Sequence, residues 1–178
     1  MKTMKKIMSL VLAVACMMSL SVSAFAAERT AALADGTYTI TANLYVAKND
    51  NPIKFWDAYL TNAAVPPRSP AQNNATLTVK DGIYTLDMDI ANESFALINL
   101  GTAPAGVSNV QITKKAGTYG PYTERISHIT MNLVPSDDNY IFTNCTERAD
   151  VDILIISVHQ DLHANLNLSV DFGSAVLQ

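Results

Sequence analysis

Cysteine is nearly absent from this chain of 178 residues, which holds only Cys16 and Cys145. With Cys16 in an apparent leader, the remainder has no partner for Cys145, so it must hold together by its core rather than by a disulfide. A single thiol cannot assemble a metal cluster, and Cys145 reads as a quiet, partly buried residue. Positive charge is scarce too, with twelve Lys and Arg against sixteen Asp and Glu. Three of the twelve, Lys2, Lys5 and Lys6, lie in the first six positions, leaving nine against sixteen and a balance of −7. That balance argues against nucleic acid or an anionic membrane as an electrostatically driven partner. Catalytic signatures are missing as well: no G-x-S-x-G, no Cys with a neighbouring His, and no Gly-rich loop opening a helix. A non-enzymatic protein is expected.

What is present begins with a leader. The three lysines, a short apolar core at 7–15 and the sequence Ala24-Phe25-Ala26 form a secretory signal peptide over 1–26, too short and wrongly flanked for a membrane span. A lipobox at Ala13-Val14-Ala15-Cys16, which would acylate Cys16, is the weaker alternative. The protein is therefore expected to be secreted or displayed at the cell surface. Residues 27–178, about 150 in all, suffice for one domain with a real core.

Period-two alternation dominates that region. In 37–46, Tyr38, Ile40, Ala42, Leu44 and Val46 share one face. In 75–90, Leu77 and Val79, then Tyr84, Leu86, Met88 and Ile90, alternate with polar residues across Asp81-Gly82, a hairpin with a tight turn. Further strands are expected at 95–100, 107–114, 123–134 with an irregularity near His128, 151–158 and 165–172. A turn or two of helix is expected over 53–60, where Phe55, Tyr59 and Leu60 have helical spacing. Many short strands separated by turns, with almost no helix, predict an antiparallel β-sandwich of immunoglobulin-like kind, with a barrel as the alternative.

Few residues offer chemistry. His128, His159 and His163 read as exposed or capping residues before ligands, and Asp87 with Asp89 as a solvated strand face before an acid–base pair. The glycosylation sequons at Asn74, Asn92 and Asn144 carry no weight behind a leader of bacterial type. The segment Phe55-Trp56-Asp57-Ala58-Tyr59 either plugs one end of the core or forms a slot for a flat apolar ligand.

Taken together, Gly36-Thr37-Tyr38-Thr39-Ile40, the aromatic segment, Ala75-Thr76-Leu77-Thr78-Val79-Lys80-Asp81-Gly82 and the last strands at 151–158 and 165–172 resemble the NEAT (near-transporter) domain of Gram-positive bacteria. The resemblance covers most of the chain beyond the leader. It implies a surface module that binds haem between a short helix and the last hairpin, in the service of iron acquisition. Lys54 and Phe55 then stand where the family has a serine and an apolar residue: Phe55, Trp56 and Tyr59 would meet a porphyrin, and Lys54 a propionate. The family's Tyr-x-x-x-Tyr ligand pair is absent, leaving His163, or else His159, to reach the iron. A host haemoprotein or surface protein is the partner so implied. An adhesion or protein-recognition sandwich without haem is the other expectation.

Overall fold

The hairpin at the centre of the sequence pattern is also the centre of the larger sheet. In the computed structural model, which describes residues 32–153 and 156–178, β1 (Gly36–Val46), β2 (Ala58–Tyr59), β3 (Ala75–Lys80) and β4 (Ile83–Asp89) are followed by β5 (Phe95–Asn99), β6 (Val107–Tyr119), β7 (Tyr122–Leu133) and β8 (Tyr140–Phe142). The chain closes with β9 (Thr146–Ile153), β10 (Ile156–Leu162) and β11 (Leu166–Leu177). The expected signal peptide and Cys16 lie outside the described residues. Residues Ala34–Gln178 form one compact unit.

Eight strands build an antiparallel sheet in the order β6-β7-β4-β3-β1-β11-β8, with β2 paired to β1, and β10-β9-β5 build a second, smaller one. Leu77 lies opposite Leu86, and both are fully buried. Asp81 and Gly82, with φ of 51° and 75°, supply the two left-handed residues that the tight turn requires. The alternation expected for β1 holds, since Ile40, Ala42, Leu44 and Val46 are all 0% exposed. The irregularity expected near His128 is a register shift between β6 and β7 beside that residue.

The large sheet is curled into a half-barrel. Tyr84 on β4 and Phe172 on β11 meet edge to face with centroids 6.2 Å apart, although two strands separate theirs. In a flat sheet three strand spacings would set them about 14 Å apart. The small sheet covers the open side with Phe95, Leu97, Ala149 and Val151, all fully buried. The architecture is thus all-β, with antiparallel curled layers consistent with a sandwich. Among the described residues no helix is long and apolar enough to cross a membrane.

Two expectations are corrected. The helix over 53–60 does not form: Lys54 is left-handed at φ 58°, and the segment ends in β2 on the rim of β1. The cause is Asn51, whose side chain takes the backbone groups a helix would use. Its Oδ1 accepts from the amides of Ile53 and Lys54, and its Nδ2 donates to the carbonyls of Ala47 and Trp56. The single strand expected over 151–158 is instead divided between β9 and β10, with Ile153 pairing Ile156. Consequently β10 and β11 belong to different sheets, and the last two strands make no hairpin.

One backbone position has no tolerance. Gly101 has φ 71°, and a β-carbon there would run into the Thr143 carbonyl oxygen, which accepts from the Thr102 amide at 2.7 Å. Gly101→Ala is expected to cost about 2–3 kcal/mol, read as a lower urea midpoint with unchanged slope.

Candidate binding surface

Past Val46 at the end of β1, the chain makes a tight loop before returning as β2. Ala58 pairs with Val46 and is buried, whereas Tyr59 pairs with Tyr45 and points outward. The two tyrosine rings lie 5.2 Å apart, tilted by 38°. Just before them, Phe55 and Trp56 sit 6.1 Å apart, and Phe55 is 76% exposed. The Trp56 Nε1 is buried and has no hydrogen-bond partner. The aromatic residues singled out from sequence therefore form two ring pairs rather than one slot, and the second includes Tyr45.

The outer row continues across the sheet. Tyr45 lies opposite Asn167 on β11, and Asn167 opposite Ile141 on β8, which is 47% exposed. Asn139 donates its Nδ2 to the Tyr45 hydroxyl at 2.9 Å. Ile141 and Asn139 also line a groove of about 600 Å³ with Pro104, Val134, Pro135 and Tyr140. Burial, then the nearby Asp57 carboxylate and Tyr45, raise the Tyr59 phenol above its ordinary pKa, so it stays neutral. The row is uncharged, with apolar faces and hydrogen-bonding edges.

The histidines divide. His159 on β10 is held from both sides, Nδ1 by Asp150 and Nε2 by Asp152, each at 3.1 Å. Asp150 and then Asp152 raise its pKa, favouring the imidazolium. His128 is gripped likewise, Nδ1 by Asp89 at 2.9 Å and Nε2 by Asp87 at 3.1 Å. Asp89 leads in raising its pKa, so Asp87 and Asp89 act as partners of an imidazole bridge between β4 and β7. Among the described residues, exposed His163 reaches only the Thr146 hydroxyl, at 3.4 Å from Nδ1. Since Leu166 pairs with Val46, the turn carrying His163 lies at the same end of the large sheet as Lys54 and Phe55. His159 lies farther along β10 in the small sheet.

Cys145 is buried and donates to the Leu100 carbonyl at 3.1 Å, and burial pushes its pKa up to about 12, so the thiol is unreactive. No group of three or more His, Cys, Asp or Glu among the described residues is placed to hold a metal ion.

Sequence reasoning missed Tyr45, Asn139, Asn167 and the organising role of Asn51. Alternation along β1 and β11 does put Tyr45 and Asn167 outward, but only the cross-strand register makes them neighbours. Comparisons with family models, curated proteins and solved structures found no match.

Proposed function

We propose that the chain is a non-enzymatic adhesion module, exported by its leader, built on an immunoglobulin-like sandwich of NEAT-like kind. The observation that supports this reading is the aromatic end of the large sheet, where the ring pairs Phe55–Trp56 and Tyr59–Tyr45 have centroids 6.1 Å and 5.2 Å apart. Phe55, 76% exposed, offers apolar area whose burial against a partner would be favourable. Sites of recognition favour such loops on rigid scaffolds.

The test is binding of fluorescently labelled full chain to cultured epithelial cells. Saturable binding displaced by unlabelled protein is expected, weakened about tenfold or more in Phe55→Ala/Tyr59→Ala, in line with the loss of central aromatic anchors. Binding that never saturates would sink the reading.

Haem or porphyrin binding is the second reading, favoured by one arrangement: Lys54, Phe55 and His163 share an end of the sheet. The donor set fits such a group, with an aromatic face, an ammonium for a propionate and an imidazole nitrogen for iron. His163 is the better ligand, because both nitrogens of His159 are engaged by carboxylates. Haem so held would supply the iron of an acquisition system. A Soret shift saturating at one equivalent and lost in His163→Ala is the expected result, and no shift ends this reading.

A further inference from the structure

Resting on the adhesion reading, we infer that the outer row Tyr59, Tyr45, Asn167 and Ile141 binds an uncharged polysaccharide chain of hexoses. The four residues stand on β2, β1, β11 and β8, directly opposite one another in register. They cross the sheet as a strip about 14 Å long, three strand spacings. Beyond Ile141 the strip runs into the groove edged by Val134, which is 66% exposed. The site is long, shallow and open at the side, the shape that takes a polymer rather than a compact molecule.

The chemistry of the row selects the polymer. Equatorially substituted hexoses present flat C–H faces, which lie on phenol rings, and a rim of hydroxyls, each both donor and acceptor. Amides answer both needs, since each carries a carbonyl oxygen and two N–H donors. The Asn167 side chain makes no hydrogen bond within the described structure, and neither does the Tyr59 hydroxyl. Asn139 spends one donor on the Tyr45 hydroxyl, which keeps the tyrosine proton free to donate outward. The two phenol rings, with centroids 5.2 Å apart and tilted by 38°, form one aromatic platform at this end of the row.

Charge excludes the competitors. The row contains no cation, and Asp57 lies close enough to Tyr59 to raise its pKa. Asp138 lines the adjoining groove. Nucleic acid, anionic lipid and uronate or sulfated glycans find no cation within the row to pair with. A protein partner is disfavoured for another reason: interface cores are continuous desolvated apolar patches, and here amides interrupt the rings.

Native gel electrophoresis of the full chain through hydroxyethylcellulose or glucomannan tests the inference. Retardation by a neutral polymer is expected. It should fall about tenfold in apparent affinity in Tyr59→Ala and in Asn167→Leu, and persist in Tyr59→Phe, which keeps the ring and reports that the fold is intact. Polygalacturonate should not retard the protein. Free migration through both neutral polymers overturns the inference, as does stronger retardation by polygalacturonate or equal retardation of all variants. If cell binding nevertheless saturates and depends on Tyr59, the adhesion reading stands and only the glycan is wrong. If both fail, the adhesion reading falls with it.

Discussion

Replacing Asn51 by alanine is expected to release the aromatic segment and to lower stability by about 3 kcal/mol, the largest effect of any single polar substitution in the loop. Asn51 is 1% exposed and makes four hydrogen bonds with the backbone of residues 47–56. Each buried partner left unsatisfied costs about 1–3 kcal/mol, less when water enters as the loop opens. The chain has one tryptophan, so Trp56 fluorescence reports the segment directly. A red shift at low urea, ahead of global unfolding, is the expected signature. Asn51→Asp keeps the acceptor for Ile53 and Lys54 but loses both donors, and should fall between parent and alanine. An unchanged emission spectrum in Asn51→Ala would show that the loop holds itself.

Glu147 governs the second large effect. It sits on β9, the central strand of the small sheet, between Leu97 and Leu162, and is 0% exposed. Its Oε2 accepts a long bond from the Ala164 amide at 3.4 Å, and its Oε1 has no partner among the described residues. Burial pushes its pKa from the ordinary 4.5 up to about 8, so the folded chain carries a neutral carboxyl near neutrality. Between those two values the folded state binds a proton that the unfolded state has released. Stability from this group is therefore complete below pH 4.5 and declines as pH rises through about 8. The steepest decline is about 1.4 kcal/mol per pH unit.

Glu147→Gln removes the titration and adds only a pH-independent offset. Urea unfolding at pH 5, 7 and 9 should show the variant gaining on the parent by an amount on the order of 3 kcal/mol between the extremes. His128 and His159, whose pKa values are also raised, lose stabilisation in the same direction, but they are present in both proteins and cancel. Parallel curves for parent and variant would show that Glu147 ionises without cost.

The most local signals in the chain were the most legible. Leu77 through Met88, with Asp81-Gly82 between them, specify a hairpin because side-chain alternation and left-handed turn residues act over a few positions. The buried faces of β1 and β11 could be read in the same way. The segment at 53–60 could not, because helical spacing of Phe55, Tyr59 and Leu60 competes with a side chain outside the window. Asn51, by bonding to four backbone groups, overrides a weak helical preference. Residues 151–158 failed for a different reason: a run of apolar β-branched residues reads as one buried strand whether or not it is divided between two paired strands, and apolar composition carries no mark for the division.

From its own order of residues, this chain determines an acidic composition, an all-β plan and the inward or outward sense of most strand residues. These follow from composition and from a period of two, which need no knowledge of distant neighbours. Pairing across the sheets was settled only by the tertiary structure. It set Tyr45 between Tyr59 and Asn167, placed His163 rather than His159 at the aromatic end, and buried Glu147 without a full complement of partners. Register and burial depend on contacts between residues more than a hundred positions apart, as between Tyr45 and Asn167, and no local pattern encodes them.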